Sequence, residues 1–322
     1  MKPATRWESS LGVALEPEAD YERRGDGGGC EDPRITFVEP LQCYIMTYTA
    51  FSPIGPRIAL ACSKDLRRWK RMGLATFAPF DGVDFVHVDD KDASLFPFAI
   101  PNHCGKLQLG IVHRPLFAST RPEETVGRDA SRRVDRARES IWISYCPMPV
   151  EGLDLPHLGL FNSHHRLASP VSPWESLKIG GGAPPILTRH GWLLAYHGVS
   201  EVHDPGTPGR HLSYSAGVMV LSKEHPQVLL YRSPEPVLAP SLPQERRGVV
   251  SNVVFPTGLD RRDDLGSPDR IDVYYGMADN CIGVARLDVP AHLPPGGAVA
   301  DVSQSGAAPP RTSAGGALEA GS

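Results

Sequence analysis

Residues 191–199 read Gly-Trp-Leu-Leu-Ala-Tyr-His-Gly-Val. The apolar side chains run without interruption from Trp192 to Tyr196, so a strand here would be buried on both faces. A glycine stands at each end of the run, as is typical of a short strand between turns. The stretch therefore predicts a buried β-strand that ends at His197.

Short apolar runs of this kind recur along the chain between turn residues. They cover residues 43–51, 57–62, 106–113, 140–145, 214–221, 249–255, 271–276 and 281–289. We find no long segment with a 3.6-residue period, although residues 129–139 fit a short charged helix. Many short strands, with 32 glycines and 32 prolines in the chain, predict an all-β sandwich, barrel or propeller.

A propeller is favoured because several of the apolar strands end in polar residues. His113-Arg114, His197 and Asp279 all follow such runs. In a propeller the strand ends and their loops converge on a central channel, which would bring these side chains together. No strict sequence repeat is visible, so this interpretation rests on the spacing of the strands.

The composition excludes several classes of partner. The net charge is −4 and the basic residues are dispersed, so no nucleic-acid partner is indicated. No apolar stretch approaches the roughly 18 residues that span a bilayer, and we see no secretory signal. These features predict a cytoplasmic protein that does not use a membrane.

The cysteines and histidines give no metal pattern. Six cysteines are scattered without a Cys-x-x-Cys pair, which argues against a zinc site and favours reduced thiols. They stand at positions 30, 43, 62, 104, 146 and 281. His164 and His165 are adjacent, but no nearby carboxylates complete a ligand set. We therefore expect no metal.

The domain organisation follows from composition. We expect one propeller domain over residues 1–294, followed by a disordered tail over residues 295–322 that is rich in Gly, Ala, Ser and Pro. Residues 119–139 are charged and predict an inserted loop. Residues 201–213 contain Gly and Pro and predict a flap beside His197.

The most chemically suggestive stretch is Cys-Glu-Asp-Pro-Arg-Ile-Thr, residues 30–36. Pro33 fixes its own φ and biases Asp32 away from the helical region, so we expect extended backbone at Asp32. A carboxylate held in this way, two residues from Arg34, could transfer a proton. An Asp-Pro step is also common in ordinary turns, so the stretch alone leaves both interpretations open.

Further motifs accompany it in a recognisable order. They are Thr47-Tyr48-Thr49-Ala50, Lys91-Asp92 with Leu95-Phe96-Pro97, His113-Arg114-Pro115, Trp174-Glu175 with Lys178 and the following glycines, Gly191-Trp192-Leu193 with Tyr196-His197-Gly198, and Tyr274 to Asp279. With Glu31-Asp32-Pro33-Arg34-Ile35-Thr36 they cover roughly residues 9–290 and resemble glycoside hydrolase family 130, the mannoside phosphorylases and related β-mannosidases.

The resemblance implies a five-bladed β-propeller with the active site in its central cavity. It also implies an inverting reaction on β-mannosides. In the phosphorylases, inorganic phosphate attacks the anomeric carbon and α-mannose 1-phosphate is released as the product. Family members carry further sequence before the Glu-Asp-Pro-Arg motif, so we expect a truncated N-terminal part and an incomplete first blade with exposed sheet edges.

The resemblance also assigns roles. Asp32 is the expected general acid, with its proton delivered indirectly through a sugar hydroxyl. Phosphorolysis needs cations to hold the attacking anion, and four candidates lie in matching motifs. These phosphate-binding candidates are Lys91, Arg114, Lys178 and His197. No cofactor is expected beyond inorganic phosphate as co-substrate.

Weaker candidates would orient the substrate. Asp279 is expected to hydrogen-bond hydroxyls of the sugar in the cleavage subsite. The remaining substrate-binding candidates are Arg34, Tyr48, Asp92 and Glu175. The expected partners are an oligosaccharide and phosphate, and family analogy makes a homo-oligomer plausible. Trp142 and Trp192 are expected in the core.

Two other functions remain open. A β-mannosidase of the same family would use water, and inverting hydrolysis needs a second carboxylate as base. Glu175 is the local residue that could serve in that role. A propeller that binds glycans without turnover is the third possibility.

Overall fold

The structure is a computed structural model that describes residues 12–23, 29–80, 83–117, 139–148, 158–202 and 211–296. The charged helix and inserted loop expected within residues 119–139 lie outside these ranges, apart from residue 139. Residues 203–210 of the expected flap and residues 297–322 of the expected tail also lie outside them.

The described residues contain nineteen β-strands. In chain order they are β1 (Cys30–Val38), β2 (Cys43–Ser52), β3 (Gly55–Ser63), β4 (Lys70–Leu74), β5 (Thr76–Phe77), β6 (Asp89–Leu95), β7 (Ile100–Pro101), β8 (Leu107–Leu116), β9 (Ile141–Cys146), β10 (Leu160–Phe161), β11 (Ser163–Ala168), β12 (Lys178–Gly181), β13 (Ile186–Thr188), β14 (Gly191–Val202), β15 (His211–Leu221), β16 (Leu229–Arg232), β17 (Val254–Arg261), β18 (Arg270–Met277) and β19 (Cys281–Asp288).

Helical structure in the described ranges is confined to single turns. A four-residue helix, α1, spans Pro243–Arg246. Short 3₁₀ turns span Asp20–Glu22, Glu39–Leu41, Pro173–Glu175 and Asp263–Leu265. None of these helices is long and apolar enough to span a bilayer.

The strands form four antiparallel sheets arranged as blades. Their strand orders are β1-β2-β3-β4, β6-β8-β9-β11, β12-β14-β15-β16 and β17-β18-β19, with β7 beside β8 and β13 beside β14. The first strands of the blades are neighbours, since β6 lies against β1 and β12, and β17 lies against β1. The short strands β5 and β10 pair in parallel and tie the first blade to the second.

The predicted all-β propeller is therefore confirmed. Four blades lie in the described residues, one fewer than the five that the family resemblance implies. The predicted strands match closely, and residues 191–199 form the fully buried part of β14. One boundary was wrong, because residues 249–253 are irregular and β17 begins only at Val254.

The core lies between neighbouring blades, which explains why many strands are apolar on both faces. Ile45, Leu95 and Ile111 belong to the cluster between the first and second blades. Trp192 belongs to the cluster between the second and third blades and is 3% exposed, and Trp142 is 5% exposed. Both tryptophans are thus in the core, as predicted. Each fully buried large apolar side chain stabilises the fold by about 1.5–3 kcal/mol.

A buried glutamate holds the chain where it enters three of the blades. Each carboxylate accepts the backbone N–H groups three and four residues before it, and also a tyrosine hydroxyl from the second strand of the blade. The pairs are Glu22 with Tyr48, Glu175 with Tyr196, and Glu245 with Tyr275. This is a structural repeat, which we call the glutamate clasp.

The clasp was invisible in the sequence because its two members are not at a fixed spacing. They are 26, 21 and 30 residues apart in the three blades. In two blades an arginine from the outermost strand also pairs with the glutamate, Arg71 in the first and Arg232 in the third. The glutamates are at most 1% exposed, so these partners offset the cost of burying a charge.

The clasp in the fourth blade can be tested with two adjacent tyrosines. Tyr275 donates a hydrogen bond of 2.9 Å to Glu245, whereas its neighbour Tyr274 is 39% exposed. We expect Tyr275→Phe to lower the free energy of unfolding by about 1.5–3 kcal/mol, because a buried carboxylate loses a partner. Tyr274→Phe is the matched control and should change it by less than about 0.5 kcal/mol. Denaturant unfolding measures both, and equal effects would contradict the clasp.

Candidate active site

Asp32 lies in a β-bulge of the innermost strand of the first blade. Glu31 is opposite Thr49 and Arg34 is opposite Thr47, so β1 has one residue more than β2 between these pairs. Asp32 has φ 51°, in the left-handed region that Asp tolerates better than most residues. The prediction of extended backbone at Asp32 was therefore wrong. The bulge overrides the bias of the following proline and leaves the side chain 34% exposed.

Asp92 lies in an equivalent bulge of the second blade. Lys91 is opposite Arg114 and Ser94 is opposite Val112, so β6 also has one residue more than β8 between these pairs. Asp92 has φ 57°. The same backbone device thus presents one aspartate from each of two neighbouring inner strands.

Asp92 is buried and connects two blades. Its Oδ2 accepts a hydrogen bond of 2.5 Å from Arg114 Nε and lies 3.7 Å from His197 Nε2 on the third blade. Burial by itself raises the pKa of Asp92, but the positive charges of Arg114 and Arg34 outweigh it and hold that pKa well below the usual range. Asp92 is therefore a fixed negative charge at neutral pH.

His197 is buried beside this carboxylate. Burial is the main cause that lowers its pKa to about 3, and the charges of Arg114, Arg34 and Lys178 add to it while Asp92 opposes it. The ring is therefore neutral at pH 7. Its Nδ1 is buried and has no hydrogen-bond partner in the part of the chain that the structure describes. His197 can supply a hydrogen bond but not a positive charge.

The glycines at 180–182 are explained by close packing within the protein. A Cβ at Gly180 would overlap Asp92 Oδ2 and His197 Cε1. Gly182 contributes its carbonyl oxygen, which accepts a 2.7 Å hydrogen bond from Arg34 Nε. Gly180 thus makes room for Asp92 and His197.

Arg34 fixes the backbone of the first bulge. Its Nη1 donates to the carbonyl oxygens of Asp32 and Pro33, at 3.0 and 3.2 Å. Its guanidinium also lies 5.1 Å from the centre of the Phe255 ring. Arg34 is only 1% exposed, and Nη2 has no partner among the described residues. Arg34 therefore binds the backbone of the bulge that carries Asp32, and not the Asp32 carboxylate.

The other candidate cations have different neighbours. Lys91 Nζ lies 3.6 Å from Glu31 Oε2 and 3.8 Å from Asp32 Oδ2. Arg114 pairs with Glu139 in addition to Asp92. Lys178 Nζ lies 5.7 Å from the centre of the Tyr214 ring.

Asp279 is the second carboxylate near Asp32. Its backbone has φ 50° and its side chain is exposed. Its pKa is raised, first by partial burial of the carboxyl and then by the negative charge of Asp32. The two aspartates are therefore close enough to influence each other, although they are 247 positions apart in the sequence (279 minus 32).

Two candidates lie outside this cluster. Tyr48 is buried and donates its hydroxyl to Glu22 at 2.5 Å. Glu175 is fully buried, and its oxygens accept hydrogen bonds from Arg232, Tyr196 and two backbone N–H groups. Both are members of glutamate clasps. Neither is placed to contact a sugar, and Glu175 is not available to activate water.

Sequence reasoning missed several neighbours of the cluster. Phe255 packs against His197 with ring centres 4.6 Å apart, and Tyr214 lies 6.0 Å from the same ring. Nothing local in the sequence marks either aromatic residue. Glu31 could have been found, because it stands directly before Asp32. Within the described ranges, no three His, Cys, Asp or Glu side chains are grouped so that they could hold a metal ion.

The fold and the site together define a β-propeller whose inner strands gather groups suited to acid catalysis and anion binding. The model of glycoside hydrolase family 130, described as beta-1,4-mannooligosaccharide phosphorylase, matches residues 2–291. The chain belongs to this family, whose phosphorylases act on β-mannosides.

Two curated relatives come from Thermoanaerobacter sp. (strain X514). A 1,2-beta-oligomannan phosphorylase is 32% identical over 278 residues, which cover 85% of this chain and 73% of the relative. A beta-1,2-mannobiose phosphorylase is 33% identical over 303 residues, which cover 89% of this chain and 80% of the relative.

A solved structure extends the comparison to the fold. The beta-1,2-mannobiose phosphorylase of Listeria innocua, in complex with beta-1,2-mannobiose, superposes with a TM-score of 0.61 and 26% identity. The match covers 85% of this chain but 61% of the Listeria chain. This chain therefore spans less than two thirds of that protein.

The close packing around Gly180 gives a test of the site. We expect Gly180→Ala to lower stability by about 1–3 kcal/mol, because the added methyl group must displace Asp92 or His197. Any catalytic activity should fall more than stability alone explains. Gly258→Ala is the matched control, since a Cβ there would lie 3.5 Å from the nearest atom, Tyr274 Cβ. Thermal unfolding with activity measured on the folded fraction would separate the two effects.

The buried state of His197 predicts a pH dependence of stability. Its pKa is about 3 in the folded protein and about 6.5 in an unfolded chain. Because the folded value is lower, the unfolded chain binds the proton more readily, so stability is lost as the pH falls from about 6.5 towards 3. Between pH 7 and 5 we expect the wild type to lose about 1–2 kcal/mol more than His197→Asn. Denaturant unfolding at both pH values tests this, and parallel losses would contradict it.

Proposed function

We propose that the chain catalyses the inverting phosphorolysis of β-mannosides to α-mannose 1-phosphate. The observation that supports this most is that Lys91 lies beside Asp32, while Arg114 and neutral His197 lie beside Asp92 on the next inner strand and Lys178 lies near His197. These groups offer positive charge and hydrogen-bond donors for an attacking phosphate. The substrate class is β-mannosides, since the family description names a β-1,4 activity and the relatives are named for β-1,2 activities.

Asp32 acts as the general acid in this proposal. Its carboxyl proton passes through a sugar hydroxyl to the glycosidic oxygen as the bond from that oxygen to the anomeric carbon breaks. A phosphate oxygen forms the new bond to the anomeric carbon from the opposite face. The products are α-mannose 1-phosphate and a saccharide shortened by one unit. Asp279, exposed near Asp32, hydrogen-bonds the mannose hydroxyls.

Phosphate removes the need for a second carboxylate as base. In a hydrolase such a base must activate water, and Glu175 is fully occupied in its clasp. In the hydrolase alternative another carboxylate near Asp32, such as Asp279, would have to take this role.

The reverse reaction tests the proposal. We expect the purified chain to release phosphate from α-mannose 1-phosphate only when glucose, mannose or N-acetylglucosamine is present as acceptor. Asp32→Asn should lower the rate by about 10²–10⁴, the usual contribution of a general acid. Asp260→Asn is the matched control, since Asp260 is exposed on β17, and should leave the rate unchanged.

Two other outcomes would overturn the proposed reaction, and a third would overturn only the role of Asp32. Hydrolysis of manno-oligosaccharides at a rate independent of phosphate would establish a β-mannosidase. Glycan binding without turnover would establish a binding protein. Full activity in Asp32→Asn would remove Asp32 as the acid and leave the reaction class standing.

A further inference from the structure

A buried chain of hydrogen-bonded side chains lies beside Lys91 and Arg114, which face each other on β6 and β8. This chain takes no part in the proposed reaction. Asp90 Oδ2 lies 2.6 Å from His113 Nδ1, and His113 Nε2 lies 2.6 Å from Ser144 Oγ. Ser144 Oγ lies 2.8 Å from His164 Nδ1, and His164 Nε2 lies 2.8 Å from the carbonyl oxygen of Ala78. All four side-chain residues are at most 4% exposed.

The protons of this chain can be assigned from its far end. A carbonyl oxygen only accepts, so His164 Nε2 carries a hydrogen that it donates to Ala78. Burial lowers the pKa of His164 to about 3, so the ring is neutral and its Nδ1 has no hydrogen. Nδ1 must then accept the one hydroxyl hydrogen of Ser144.

The hydrogens on Ser144 and His113 follow from the same rule. Ser144 has no second hydrogen to give, so its oxygen accepts from His113 Nε2, which must carry a hydrogen. The 2.6 Å contact between His113 Nδ1 and Asp90 Oδ2 also needs a hydrogen between its two atoms. The Asp90–His113 pair therefore holds a proton beyond a neutral imidazole and a carboxylate, and its net charge is zero.

Asp90 and His113 lie next to the bulge that positions Lys91 and Asp92. Asp90 directly precedes Lys91 on β6, and His113 directly precedes Arg114 on β8. His113 lies opposite the bulge that contains Asp92, since Lys91 pairs with Arg114 and Ser94 pairs with Val112. In the first blade Tyr48 lies opposite the bulge of Asp32 in the same way. Each bulge is thus backed by a buried, hydrogen-bonded side chain on the adjacent strand.

We propose that Asp90 and His113 are positioning residues for the phosphate site, which rests on the proposed function. Their contact cross-links β6 to β8 and fixes the bulge from which Lys91 and Asp92 project. Their shared proton keeps the pair neutral, so no uncompensated carboxylate next to the cations repels an incoming anion. His113 also stacks on Phe77, with ring centres 4.4 Å apart, which holds the ring in place.

The proton assignment makes the two partners unequal under substitution. Asp90→Asn leaves a neutral amide that can donate to a singly protonated His113, so the chain stays bonded and neutral. His113→Asn leaves Asp90 as a buried carboxylate without its cation. We expect the dissociation constant for inorganic phosphate to rise about tenfold in His113→Asn, as when the partner of a binding residue is lost. It should stay within about threefold of the wild type in Asp90→Asn and in the double variant.

Isothermal titration calorimetry of the full chain with inorganic phosphate measures this without requiring turnover. His190→Asn is the matched control, because His190 Nε2 bonds the Pro290 carbonyl at the opposite end of β14 from His197, and its phosphate affinity should be unchanged. Nitrogen NMR of the histidines gives a second measurement that does not depend on the variants' folding. It should show His113 protonated on both nitrogens in the wild type, or one proton shared with Asp90.

The outcomes separate the two proposals. A wild type that binds no phosphate would overturn both the phosphorylase proposal and this inference. Phosphate binding that is equal in the wild type and His113→Asn would overturn the inference alone. Equal weakening in all three variants would also overturn it, because a purely structural role predicts no rescue by the double substitution. A singly protonated His113 that shares no proton with Asp90 would refute the assignment of charge.

Discussion

The candidate site depends on one buried carboxylate. Asp92 contacts Arg114 on its own blade and His197 on the next, and Gly180 has no side chain because Asp92 fills that space. A buried charge without partners would cost several kcal/mol, so these contacts are needed together or not at all. The inner strands of the second and third blades are therefore held in one arrangement, and the groups that surround Asp32 inherit their positions from it.

The two bulges show how one backbone device serves two purposes. In each, an aspartate with positive φ projects from an innermost strand. Asp92 is 2% exposed and neutralised by cations, so it stabilises the arrangement of the blades. Asp32 keeps a side chain that is 34% exposed, and among the described residues its ion pair is the 3.8 Å contact to Lys91, so it can exchange a proton. The difference comes from the arginine within each blade, since Arg114 donates to the carboxylate of Asp92 whereas Arg34 donates to the backbone of the other bulge.

A structural feature could be predicted from the sequence when the residues that define it are neighbours in the sequence. The strands and the position of His197 were readable because apolar runs and turn residues are neighbours in sequence. The backbone of Asp32 was not, because a bulge is defined by counting residues on the partner strand. Tyr48 and Glu175 stood in the family motifs but belong to clasps whose partners are 26 and 21 residues away at no constant spacing. A motif marks a residue as important without saying whether it holds the fold or the ligand.

The candidate cations differ in whether a carboxylate already pairs with them. Arg114 is already paired with Asp92 and Glu139, and Lys91 lies between Glu31 and Asp32. Lys178 lies against the Tyr214 ring, and the neutral His197 offers no charge. An incoming phosphate would therefore compete with Asp32 for Lys91.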